Sequence, residues 1–144
     1  MNMGTLAPLT PQKNTANLLL SLGLSPTFSG WVVNPGTAAD ITNEITNALT
    51  TPGQVDYIND AYITYDLGSS QRVSVYAALF SPDYGHIPMQ IEVSDDNATW
   101  DSMTFTEDQV NVLNGTTKAQ YIRLHLPAFN ALMITKLSMR VYLI

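Results

Sequence analysis

From Ala61 onward, apolar and polar residues alternate with a period of two. Ile63, Tyr65 and Leu67 alternate with Tyr62, Thr64 and Asp66, and Val73, Val75, Ala77 and Leu79 with Arg72, Ser74, Tyr76 and Ala78. The same rhythm returns at Met89, Ile91 and Val93, at Ile122, Leu124 and Leu126, and at Leu137, Met139, Val141 and Leu143. Strand side chains point alternately to opposite faces, so each run reads as a half-buried antiparallel strand. Gly68-Ser69-Ser70, Ser81-Pro82-Asp83-Tyr84-Gly85 and Asp95-Asp96-Asn97 separate the runs with turn-forming residues. No βαβ rhythm interrupts them. The pattern predicts an all-β sandwich or barrel.

The first sixty residues read differently. Pro8, Pro11 and Pro26 break up residues 1–30, and between them lie Leu18, Leu19, Leu20, Leu22 and Leu24. Asn14 or Thr15 is placed to cap a short helix that Gly23 would end. This segment is expected to be an N-terminal arm whose leucines pack on their own domain or on a partner. Residues 31–144 form the expected sandwich domain. Within it, Trp31-Val32-Val33 is a strand start, and Asp40 to Leu49 reads as a weak helix with Ile41, Ile45 and Leu49 on one face.

Composition narrows the picture. The chain has 144 residues, 45% hydrophobic and only 12% charged, which is enough apolar material for one two-layer core and the opposite of a disordered composition. Its net charge is −6, and Lys13, Arg72, Lys118, Arg123, Lys136 and Arg140 are scattered rather than clustered. Nucleic acid and anionic membranes, which need grouped cations, are not expected partners. There are no cysteines, which excludes disulfides and thiolate metal sites. The leucine run is too short and too late for a signal peptide and far below the about 20 residues of a membrane span.

Four segments bear a family resemblance. Tyr65-Asp66-Leu67-Gly68 followed by Arg72-Val73-Ser74-Val75, Ile91-Glu92-Val93-Ser94-Asp95-Asp96-Asn97-Ala98-Thr99-Trp100, Tyr121-Ile122-Arg123-Leu124 and the closing strand Ile134 to Tyr142 occur in the order and spacing of discoidin domains. These are also called coagulation-factor C-type or galactose-binding-like domains. The resemblance covers about Ala61 to Ile144. It implies a jelly-roll β-sandwich that binds sugars, lipid heads or proteins through loops at one end. It also places Trp100 at a core position. Many members hold a calcium ion, but Asn47 and Lys136 stand where its aspartate and glutamate would be, so no metal or other cofactor is expected.

Candidate chemistry is sparse. There is no Gly-x-Ser-x-Gly element, no phosphate-binding loop and no His-x-x-x-His pair, so no catalytic residues are assigned and no enzyme is expected. Asp95-Asp96 reads as a turn former. His125 falls on the polar face of a strand, as a solvated or partner-facing residue. Asp83, Tyr84 and His86 share one loop, and Phe129 and Asn130 share another, an apolar tip between Pro127 and Leu132. These five are the candidate ligand-binding residues, with simple loop surface as the plainer alternative. Tyr57 is a further loop aromatic, and Trp31 is open to either a core or a contact role.

Two functions follow as expectations. The first is a structural module of a tailed-phage virion, a head-decoration, fibre or tail-attachment protein. It would be made in the host cytoplasm without a signal peptide and would assemble with other virion proteins or with itself as a homo-oligomer through Leu18, Leu19, Leu20, Leu22 and Leu24. A charge-poor surface rich in Thr, Asn and Ala, similar in style to phage structural proteins, motivates it. The alternative is a carbohydrate-binding, lectin-like module whose loops recognise a glycan.

Overall fold

The structure, a computed structural model, describes residues 16–42 and 48–144, with the backbone alone at Asp108. Its elements run α1 (Leu18–Ser21), β1 (Thr27–Ser29), α2 (Ala38–Ile41), β2 (Gly53–Val55), β3 (Ala61–Phe80), β4 (Gln90–Ser94), β5 (Asp101–Ser102), β6 (Thr106–Gln109), β7 (Val112–Leu126), β8 (Leu132–Ile134) and β9 (Lys136–Leu143). The strand pairings are antiparallel throughout, as the alternation predicts.

The two long strands β3 and β7 carry the architecture. They pair from Ala61↔Leu126 to Asp66↔Tyr121, and again from Gln71↔Ala119 to Ala78↔Val112. Between these stretches, residues 67–70 of β3 stand opposite Gln120 alone, a bulge that bends the ribbon. Gly68 supplies the positive φ of 86° there, and the Asp66 carboxylate accepts from the Gly68 N–H at 2.7 Å and from Gln120 Nε2 at 3.1 Å. The predicted turn at Gly68-Ser69-Ser70 is therefore a bulge inside one strand. A hairpin there would have paired 61–66 with 71–80, whereas both halves pair with β7.

On one side of the bulge, β1, β4 and β5 extend the sheet in the order β1-β3-β7-β4-β5. On the other side, β9 joins β3 and β6 joins β7. A separate ribbon pairs β2 with β8. The first half of β7, Val112 to Ala119, carries no period-two alternation, and its Asn, Gly and Thr content favours loop. Its pairing with β3 and β6 overrides that local preference.

One hydrophobic cluster fills the interior, drawn from both halves of β3 and β7, from β4, β8 and β9, and from α1 and α2. The inward sets predicted for β3, β7 and β9 are buried from Ile63 to Val141, while Leu143, counted among them, is half-buried. Ala78 and Ser138, expected to face outward, are buried too.

Part of the presumed arm belongs to this core. Leu18 and Leu19 are buried, and β1 is hydrogen-bonded to β3. Asn17 makes this possible. Its Oδ1 accepts from the Leu19 N–H, capping α1, and from the Val141 N–H at 3.1 Å, while Nδ2 donates to the Met139 carbonyl at 3.4 Å. One side chain thus occupies a stretch of the free edge of β9 that would otherwise be open to another strand. Residues 1–15 of the arm lie outside the described residues. The second helix starts at Ala38, where Thr37 and Asp40 form a capping box, rather than at Asp40; residues 43–47, including Ile45, lie outside the described part.

Tyr65 is fully buried with no hydrogen-bond partner for its hydroxyl among the described residues, and burial pushes the phenol's pKa up. An unpaired buried hydroxyl costs about 1–3 kcal/mol of desolvation. Tyr65→Phe is therefore expected to leave stability unchanged or to raise it by up to about 1 kcal/mol, read from the urea midpoint at constant m-value.

Candidate functional site

Three loops are stitched together by side-chain bonds to backbone, and they hold most of the candidate residues. Residues 56–60 connect β2 to β3, 81–89 connect β3 to β4, and 127–131 connect β7 to β8. Asp56 folds the first loop, accepting from the Ile58 and Asn59 N–H groups at 2.9 and 2.8 Å. These bonds hold its carboxyl below the usual range, the Asn59 N–H contributing most. Asp60 reaches from the first loop to the third, where it accepts the Ala128 N–H at 2.7 Å. Asp83 ties the second loop to β8 by accepting the Met133 N–H at 3.0 Å. Gly30, at φ 81°, lets β1 pass so close that a Cβ would collide with the Asp60 carbonyl.

Asn111 anchors the second loop from beneath. It sits in the turn between β6 and β7 at φ 61°, a conformation that asparagine tolerates better than most residues. Its buried side chain accepts from the Ile87 N–H at 2.8 Å and donates to the Gly85 carbonyl at 2.6 Å. The backbone held in this way brings Tyr84 against Phe129, ring centroids 5.1 Å apart and nearly perpendicular at 83°. Both rings stay exposed, Tyr84 at 47% and Phe129 at 41%. An open groove of about 380 Å³ is lined by Val32, Gln54, Asp56, Asp83, Leu132 and Met133 among others; neither ring lines it, and Asp83, the residue before Tyr84, joins it to the pair. Tyr57 and Ile58 are also exposed at the same loops.

His86 parts from the group. Its Nε2 lies 3.0 Å from the Glu107 carboxylate, both side chains largely exposed, at the rim of a second recess of about 160 Å³ floored by Ile87, Met89 and Leu113. An exposed pair of this kind contributes little to stability. Asn130 turns its Oδ1 to the next backbone N–H, that of Ala131. The candidate set thus divides: Asp83, Tyr84 and Phe129 converge, Asn130 adjoins them, and His86 serves a separate recess.

The outer face of the first sheet holds a charged layer. Arg123 lies between two aromatic faces, 3.9 Å from the Trp100 centroid and 4.2 Å from that of Tyr62, and its Nε donates to Glu92 at 2.7 Å. Trp100 is therefore not a core residue. It covers a guanidinium on the outside of the sheet, because Arg123 alternates with the buried Ile122 and Leu124. His125 is on the polar face as expected, yet it is far from solvated. Its side chain is 13% exposed, stacked on Tyr62 at 4.5 Å and bonded at both nitrogens to carboxylates. Trp31 packs at the core margin and donates to the Tyr62 carbonyl. Lys136 stands over the Phe80 ring, and Asn47 lies outside the described residues.

No family model and no curated protein matches the chain. Solved structures do. A chitosan-binding module from a chitosanase/glucanase of Paenibacillus sp. IK-5 superposes with a TM-score of 0.61 at 20% identity, covering 91% of this chain and 99% of that one. The lectin binding domain of Lectinolysin, solved with Lewis b, gives 0.60 at 13% identity over 92% and 99%. A module of family CBM32 from Clostridium perfringens gives 0.57 at 17% identity over 89% and 99%. The fold is the galactose-binding-like sandwich.

A galactose-binding-like sandwich makes the discoidin resemblance of the Tyr65 to Tyr142 segments a correct reading of fold. Its Asp95-Asp96-Asn97 element is the expected turn: Asp96 accepts from the Ala98 and Thr99 N–H groups, and Asn97 adopts φ 59°. Those bonds, Thr99 first, hold the Asp96 carboxyl down to about 2. What the sequence did not reveal in this sandwich is the pair of clamps, the buried Asn111 and the partly exposed Asp60. Val110-Asn111 between two β-prone segments is the one visible hint of the turn.

Two outcomes are expected of the isolated domain. Because the Asp96 carboxyl is depressed, the turn's stabilisation is present above the ordinary aspartate range near pH 4 and is lost as pH falls toward about 2; an NMR titration of the Thr99 amide should show that late midpoint. Asn111→Ala should cost about 2–3 kcal/mol, from two lost buried bonds and a strained positive φ, whereas Asn111→Gly should recover part of it by relieving the backbone.

Proposed function

We propose that this chain is a non-catalytic carbohydrate-binding module that takes a glycan at the end formed by loops 56–60, 81–89 and 127–131. The observation that carries the reading is the exposed Tyr84–Phe129 pair held by clamped loops beside a polar-rimmed groove. A pyranose presents an apolar face of C–H groups and a rim of hydroxyls. The two exposed rings suit the face. Asp83, which precedes Tyr84 and lines the groove, offers its carboxylate to the rim, as the Gln54 amide in the same groove does. Concave sites with an apolar wall and a few convergent polar groups are the usual form of small-ligand sites. The neighbours named for chitosan and Lewis b support the ligand class.

The groove walls carry Asp56 and Asp83 and no Lys or Arg, and the chain's net charge is −6. This favours neutral or amine-bearing sugars over uronates. An open groove buries little of its ligand, so affinity for a single sugar is expected at roughly millimolar, about −4 kcal/mol.

Nothing in the comparisons supports the virion-assembly expectation, and its arm is only partly free. Two of the leucines assigned to partner binding, Leu18 and Leu19, are consumed by the domain's own core, leaving Leu20 and Leu22 exposed and Leu24 half-buried. The carbohydrate reading is the stronger one.

A glycan array probed with the full chain, followed by calorimetry with chitosan oligosaccharides and galactosides, checks this. Binding is expected, weakened about tenfold (about 1.4 kcal/mol) by either Tyr84→Ala or Phe129→Ala, with His86→Ala near wild type. No hit across neutral and amine-bearing glycans would overturn the reading.

A further inference from the structure

The charged layer on the sheet face ends at the candidate site, and Asp60 is where they meet. One Asp60 oxygen accepts the Ala128 N–H at 2.7 Å, immediately before Phe129, and the other lies 2.8 Å from His125 Nε2. His125 Nδ1 lies 2.9 Å from Glu92 Oε2, and Glu92 Oε1 accepts from Arg123 at 2.7 Å. A continuous chain of bonds therefore runs from the guanidinium under Trp100 to the backbone of the loop bearing Phe129.

The imidazole is the link with two states. Ionised carboxylates accept but do not donate, so bonding both of them requires N–H on both ring nitrogens, as in the imidazolium. A neutral ring has one N–H and leaves one carboxylate facing a lone pair. The two ends are unequal. The Glu92 side chain is 13% exposed and fixed by Arg123, whereas that of Asp60 is 42% exposed and can turn to water. The groups facing His125 are Asp60 ahead of β3, Tyr62 on β3, which also bonds Asp60, Glu92 on β4 and Arg123 on β7. Of the two carboxylate bonds, the more exposed one to Asp60 opens more easily.

We propose that Asp60 is a positioning residue for the candidate site, holding loop 127–131 through Ala128, and that protonation of His125 sets how firmly it holds. Asp60 makes no claim on the ligand itself. Only the affinity readout rests on the carbohydrate reading; the loop readout does not.

The test follows the Ala128 amide and the Phe129 ring by NMR in the full chain over a pH series that takes the His125 imidazole from charged to neutral, as read from its own ring signals, alongside affinity for chitosan oligosaccharides. In the wild type, the Ala128 amide proton should move upfield as pH rises, and Phe129 should shift with it. Asp60→Ala should place both signals in the released position at every pH and weaken binding about tenfold. Asp60→Asn keeps an acceptor for Ala128, so it should restore most of the affinity, and His125→Gln should flatten the pH profile. A role confined to stability would lower the melting temperature of Asp60→Ala while leaving the wild-type profile flat. Such a flat profile, or Phe129 signals in Asp60→Ala identical to wild type, would overturn the proposal. If the loop signals respond but no sugar binds, the clamp stands and the carbohydrate reading falls.

Discussion

The pairing of β3 with β7 is the constraint on which everything else hangs. These two strands face each other across both halves of the domain, and the bulge opposite Gln120 lets one ribbon serve both. Each remaining strand of the main sheet except β1, β5 and β9 attaches to β7, and β1 and β9 attach to β3. Because side chains alternate, this single register decides which residues enter the core and which form the outer face. A slip by one residue would bury Arg123 and His125 and expose Ile122 and Leu124. The register is thus fixed by the cost of burying charge as much as by apolar burial.

The candidate site is built on a different principle. Its loops have few backbone partners of their own, and they are held by polar side chains reaching into backbone: Asn111 under Gly85 and Ile87, Asp60 under Ala128, Asp83 against Met133. Each clamp satisfies a peptide group that would otherwise need water. The result is a pair of aromatic rings that stay exposed because the backbone beneath them is already satisfied and packed. A shared fold leaves the ligand open, so the site's own chemistry, aromatic faces with carboxylate and amide rims, carries the functional argument.

Legibility in the sequence followed the range of the interactions. Alternation over Ile63 to Leu67, Val73 to Leu79 and Leu137 to Val141 is local, and it foretold the strands and their inner faces. Where pairing is the deciding force, local signals misled. Asn114-Gly115-Thr116-Thr117 reads as loop and lies in β7, and Gly68-Ser69-Ser70 reads as a turn and lies in β3. The aromatics Tyr84 and Phe129 were visible as loop residues, but their meeting was not, since it depends on contacts far apart in the chain. Trp100 was misplaced for the same reason: only the Arg123 beneath it explains why it lies on the outer face.

The central claim is that a sugar sits against Tyr84 and Phe129. Backbone-amide NMR mapping of the isotopically labelled chain, titrated with chitosan oligosaccharides and galactosides, tests it most directly. Saturable shifts confined to residues around 54–58, 83–85 and 128–133 are the expected result. Shifts centred instead on the Asp95 to Asp101 turn or the exposed Leu20 and Leu22, with the loop end silent, would contradict it.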